Sequence, residues 1–192
     1  MNTPVRRLLL ACACAAGFAA GAASAAEREQ GAHVHGMGQL DVAVEGGTVD
    51  MRLELPGADV VGFEHAAASA EDKAAVAKAV AALKAGGALF AFPAAAQCRL
   101  ATAKVESALA EDGDHGHGAH KHGETKSARK DAAHAEFHVH YRFRCERPAS
   151  LTHVDVKIFE KFPAARELAA QVITGRGQSA RQLTAASARL TF

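Results

Sequence analysis

Residues 136–145 read Glu-Phe-His-Val-His-Tyr-Arg-Phe-Arg-Cys. Phe137, Val139, Tyr141, Phe143 and Cys145 alternate with His138, His140, Arg142 and Arg144. Successive side chains of a strand point to opposite faces, so this stretch predicts a β-strand with one face on a core and the other in water. Sheets with one wet face are characteristically antiparallel. The same two-residue period recurs upstream. Leu40, Val42 and Val44 alternate within residues 39–45, and Val49, Met51, Leu53 and Leu55 within residues 49–55. Gly46-Gly47 between them is a hairpin signal, and Pro56-Gly57 ends the second strand. Residues 89–92, 97–109, 154–158 and 188–192 read as further strands. Residues 168–173 read as a short helix or a strand, followed by a turn at 175–177.

One segment breaks the period. Ser69 followed by Glu71 and Asp72 is a helix start, with acidic side chains against the N-terminal end of the helix dipole. Val76, Val80 and Leu83 then recur at spacings of four and three before Gly86-Gly87, which predicts a helix over about 69–85. Residues 58–68 read as irregular. Strands dominate, no strand–helix–strand alternation appears, and no long-period repeat is present. The expected fold class is α+β: a single domain with a mainly antiparallel sheet and one helix.

At the N-terminus Arg6 and Arg7 precede an apolar run from Leu8 to Ala20 and the small-residue pattern Ala23-Ser24-Ala25. This is the form of a cleaved secretory signal peptide over residues 1–25, leaving a domain at 26–192 and implying a periplasmic location. Leu9-Leu10-Ala11-Cys12 loosely resembles a lipoprotein signal, but the run between Arg7 and Cys12 is too short for an apolar region. No segment is long and apolar enough to span a membrane. The chain has 22 Lys+Arg and 21 Asp+Glu, and the leader removes only Arg6 and Arg7. Near-neutral charge excludes electrostatic nucleic-acid binding. Cys98 and Cys145 are the cysteines beyond the leader. In an oxidising compartment an even pair reads first as a structural disulfide, and neither belongs to a close-spaced metal-binding pair.

The histidines carry the chemistry. Four of the eleven, His115, His117, His120 and His122, stand in residues 114–122, Asp-His-Gly-His-Gly-Ala-His-Lys-His. Neutral imidazole is a ligand for zinc, copper and nickel, and the interleaved glycines let several rings reach one ion. Residues 111–134 contain scarcely an apolar side chain, which predicts a disordered loop. His134 extends its donor set. Two further pairs echo each other, His33-Val34-His35 and His138-Val139-His140. On a strand, positions i and i+2 share a face, so each pair offers two adjacent rings that a third ligand would complete. Pairing of the two segments across the sheet would bring four imidazoles together. For His138 and His140 the alternative is a solvated polar face. Glu64 and His65 are a weaker candidate pair, and His153 reads as solvent-exposed.

Taken in order, His33-Val34-His35-Gly36, Leu55-Pro56, Gly62-Phe63-Glu64-His65, the histidine loop, the strand ending at Cys145 and Phe159-Glu160-Lys161-Phe162-Pro163 resemble the zinc-regulated, ZrgA-like periplasmic proteins, long catalogued as a domain of unknown function. The resemblance spans essentially all of residues 26–192. It implies a periplasmic zinc-binding protein that assists zinc acquisition beside an ABC importer or that importer's periplasmic binding protein. The matching positions are His33, His35, Glu64, His65 and the loop histidines.

Two other function classes compete. HxH is also a catalytic metal signature, but His33-Val34-His35 continues as Gly-Met-Gly, without the Asp and His of the metallo-β-lactamase pattern. The chain is too short for an amidohydrolase barrel of about 250 residues. Residues 137–140 superficially resemble the copper strand of Cu,Zn superoxide dismutase, yet only His153 follows them where that enzyme needs several histidines. A structural envelope protein with incidental histidines is the third class. Within the binding class, Zn2+ is favoured over Cu2+ or Ni2+. The absence of a Met-rich tract argues against a Cu(I) carrier.

Overall fold

The alternation of residues 39–55 becomes a hairpin in which β1 (Met37–Glu45) pairs antiparallel with β2 (Thr48–Pro56), Leu40 opposite Leu53 and Val42 opposite Met51. The computed structural model describes residues 36–110 and 135–192. After β2 come α1 (Gly57–Val60), α2 (Ala70–Lys84), α3 (Gly86–Leu89), β3 (Phe90–Ala91) and β4 (Cys98–Glu106). They are followed by β5 (Glu136–Cys145), β6 (His153–Val156), α4 (Ile158–Lys161), β7 (Glu167–Thr174), β8 (Gly177–Thr184) and β9 (Arg189–Thr191). Six strands form one sheet in the order β4-β5-β2-β1-β7-β8, and β3, β6 and β9 form a second, small sheet in the order β3-β6-β9.

The α+β expectation is met in its coarse form: the fold is mostly sheet, with α2 the one helix of more than a turn among the described residues. Every neighbouring pair is antiparallel except β1 and β7, which run parallel with Leu40 beside Ala170. Residues 168–173 are strand rather than helix: Leu168, Ala170 and Val172 are buried while Ala169, Gln171 and Ile173 are exposed. The strand expected at 154–158 stops at Val156, and Ile158 opens α4 instead. β8 was not anticipated. Only Leu183 of its residues is buried, so no apolar period marks it.

The inward face of the large sheet carries Leu40, Met51, Leu53, Leu55, Phe137, Val139, Tyr141, Phe143 and Leu168, all within 2% of full burial. Against it pack Val76, Ala79 and Leu83 of α2, Leu89, Phe90, Val154 and Val156 of β6, and Ile158 and Phe159 of α4. Val80, expected on the apolar stripe, is only partly buried, and Ala79 takes its place. Ser69 caps α2 as the sequence predicts, accepting from the Asp72 amide while the Asp72 carboxylate accepts from the Ser69 amide. The Tyr141 hydroxyl donates to the Leu83 carbonyl at 2.7 Å, which ties the end of α2 to the centre of β5. Burial pushes that phenol's pKa well up. Cys98 and Cys145 stand directly opposite in the β4–β5 register and are disulfide-bonded. No helix among the described residues is long and apolar enough to cross a membrane.

Candidate metal-binding site

The polar face of the large sheet has two unlike ends. At one lie the Gly46-Gly47 turn and the disulfide. At the other, β1 begins, β2 ends, β4 ends and β5 begins: Gln39 stands beside Glu54, Glu54 beside His138, and His138 beside Glu106. Strands of this length hold the two ends roughly 25 Å apart. Each segment carrying a candidate ligand joins the fold at the second end.

Gly57 is the junction there. Its amide donates to the Ala135 carbonyl at 2.6 Å, immediately after residues 111–134. A methyl group at Gly57 would collide with that carbonyl, with the Phe63 carbonyl at 2.8 Å and with Leu109 at 2.9 Å. Only glycine lets these three segments meet. Thus the residue before Glu64, the last turn before the histidine loop and the first residue after it share one spot. Gly36, which directly follows His33-Val34-His35, has φ +86°, a conformation open to glycine. Its amide donates to both carboxylate oxygens of Asp59 at 2.9 Å, and Asp59 is buried.

His33, His35, His115, His117, His120, His122 and His134 lie outside the described residues, as do the segments expected to be a signal peptide, 1–25, and a disordered loop, 111–134. His138 and His140 do share the outward face of β5, as the spacing predicts. Their surroundings differ. His138 sits among three carboxylates: Nε2 is 3.3 Å from Glu136, Nδ1 is 3.8 Å from Glu54, and Glu106 stands opposite on β4. Its pKa is raised, first by the hydrogen bond to Glu136, against which burial works, and then by the three carboxylate charges. His140 stands between Arg52 on β2 and Lys104 on β4. Lys104 is ion-paired with Glu106, so Glu136 and Glu54 carry the net negative charge at the first position, which favours a divalent cation over the second.

Residues 33–35, which could pair with residues 138–140 on the sequence alone, lie outside the described residues, and β5 offers no open edge at His138 and His140. Both edges of β5 at His138 and His140 are taken, by Glu54 and Arg52 on one side and by Glu106 and Lys104 on the other. The strand that follows Gly36 pairs with β2 and β7, not with β5.

His65 is exposed, stacked on Phe63 with ring centroids 4.7 Å apart, and its Nδ1 lies 3.1 Å from the Ala66 carbonyl. It is near enough to Asp72 to help lower that carboxyl's pKa, behind the larger effect of the Ser69 hydrogen bonds. Glu64 is exposed beside it. His153 lies 2.9 Å from the Thr152 hydroxyl, in the small sheet. Among the described residues no group of three or more His, Cys, Asp or Glu is arranged to hold a metal ion. Sequence reading missed Glu54, Glu106, Glu136 and Asp59. Glu136 was findable, two positions before His138 and therefore on its face. The other three depend on register and on a turn after β2.

Residues 32–192 match the family model described as ZrgA family zinc uptake protein, which confirms the resemblance, and the chain belongs to that family. No curated protein matches it.

Proposed function

We propose that this member of a zinc uptake family is a periplasmic protein that captures Zn2+ and buffers it or hands it on in support of import. The observation that supports this reading most is topological. The segments bearing His33 and His35, Glu64 and His65, the histidine loop, and His138 all enter the fold at one end of one sheet, beside Glu54, Glu106 and Glu136. Such a grouping raises the local density of imidazole and carboxylate, both zinc ligands. Four histidines within eight residues suit exchangeable capture of several ions more than one rigid cage. Zinc is cargo in this reading, and the protein is a binder, not a catalyst. The leader-like residues 1–25 support export, and the recipient of the metal is an ABC importer or its binding protein.

Because imidazole must be neutral to ligate, capture should weaken as pH falls through the ordinary histidine pKa of about 6.5. Zinc stoichiometry and affinity, measured by calorimetry on the intact protein and on one lacking residues 111–134, test the proposal. The expected result is loss of most sites with the deletion and weaker capture at pH 5.5 than at 7.5. An intact protein that binds no zinc, or binding unaffected by the deletion and by replacement of the ordered histidines, would overturn it.

A further inference from the structure

The two edges of the large sheet are built differently. The β4 edge is interrupted between Leu100 and Thr102, carries Arg99, Lys104 and Glu106, and is tied at Cys98. Breaks and charges of this kind keep an edge from pairing with another chain. β8 has none of them. It runs in unbroken register with β7 from Thr184 opposite Glu167 to Gly177 opposite Thr174, without proline and with Arg181 as its sole charge. Residues 177–182 are exposed on both faces, and among the described residues no strand lies beyond them.

The hairpin fixes which backbone groups face outward. Thr174 and Gly177 flank a two-residue turn and form a hydrogen-bonded pair, so 172/179, 170/181 and 168/183 are hydrogen-bonded pairs as well. The N–H and C=O groups of Gln178, Ala180 and Gln182 therefore point away from β7. This outward set is symmetric about Ala180. We propose that the outer edge of β8 is a homodimerisation edge, on which a second copy pairs antiparallel about a two-fold axis through Ala180.

In that register Ala180 meets Ala180 of the partner subunit, Gln178 meets the partner's Gln182, and Gln182 meets the partner's Gln178. Each outward amide and carbonyl then has a partner. Arg181 falls opposite the partner's Ser179, so no like charges oppose, and the smallest side chain of the three outward positions sits on the axis. Centring on Gln178 would run the partner into the turn at Gly175-Arg176, and centring on Gln182 into the Thr184–Ser187 bridge. On the neighbouring open face Ala43, Ala169 and Gln171 are exposed, with Ile173 58% exposed opposite Gln178, and its charges, Asp41 beside Gln171 and Glu167, which accepts from the Gln182 side-chain amide, stand one or two strands in from the edge. The edge lies four strands from His138, and the inference does not depend on zinc.

Sedimentation equilibrium from about 1 to 100 μM, which brackets a micromolar Kd, provides the test together with amide exchange. A dimer is expected, with slowed exchange at Gln178, Ala180 and Gln182 that follows its concentration. Ala180→Pro removes an outward N–H and no bond to β7, a position where an edge strand tolerates proline. It should abolish the dimer with circular dichroism unchanged. Ala180→Cys should cross-link two chains under oxidation, which keeps the test open should the proline variant misfold. A monomer throughout the range without cross-linking, a dimer indifferent to Ala180→Pro, or slowed exchange of the three amides in a monomer, meaning that the chain covers its own edge, would each overturn the proposal.

Discussion

A ring surrounded by carboxylates keeps its proton to higher pH than one in water, and Glu136, Glu54 and Glu106 put His138 in that position from its own strand and both neighbours. Burial opposes the effect, while Arg52 and Lys104 stand opposite His140 one pair further along, Lys104 ion-paired with Glu106. An NMR titration should place the His138 pKa above the ordinary 6.5, and Glu136→Gln should lower it, since the Glu136 hydrogen bond is the largest cause. The folded value is raised, so the stabilisation is complete below the unfolded pKa and disappears as pH rises through the folded one. A His138 pKa unmoved by Glu136→Gln would contradict this assignment. Asp59 is a second decisive residue. Asp59→Ala leaves the Gly36 amide without its carboxylate and should cost about 1–3 kcal/mol in a urea titration. Asp59→Asn, which keeps an acceptor, should recover part of that.

At the scale of elements, what was legible followed burial. β1, β2 and β5 each have one buried face, and their alternation is plain in the residues. The α2 boundaries followed from Ser69 and the acidic first turn. β8 was illegible because its residues are exposed on both faces, and β7 was ambiguous because alanines dilute its period. The parallel β1–β7 pair joins segments far apart in sequence, a distance that local pattern does not bridge. The disulfide was legible from parity and from the oxidising compartment that the N-terminal residues led one to expect. Cys98 and Cys145 are 47 residues apart, so their link stabilises by up to about 4 kcal/mol through the entropy of the unfolded chain. Reduction should lower the urea midpoint accordingly. A midpoint unchanged by reductant would show that the β4–β5 pairing stands without the bond.

For the molecule as a whole, the candidate site was legible as a set of segments but not as a place. The histidines announce themselves by composition. That the segments bearing them join the fold at one end depends on strand order and on Gly57, neither of which composition carries. The same junction bears on the histidine loop. Leu109 and Ala135 both lie against Gly57, and Glu106 already stands opposite His138, so the β4–β5 hairpin is closed on both sides of residues 111–134. A short glycine–serine bridge in place of those residues should leave the fold intact. Closing a shorter loop releases chain entropy in proportion to the logarithm of its length, about 1–2 kcal/mol for a several-fold shortening. The shortened protein is therefore expected to unfold at an equal or slightly higher urea concentration while its zinc capacity falls. Cooperative unfolding lost along with the segment would show instead that the segment is part of the fold, and the separation between a metal-collecting appendage and a stable sheet would have to be given up.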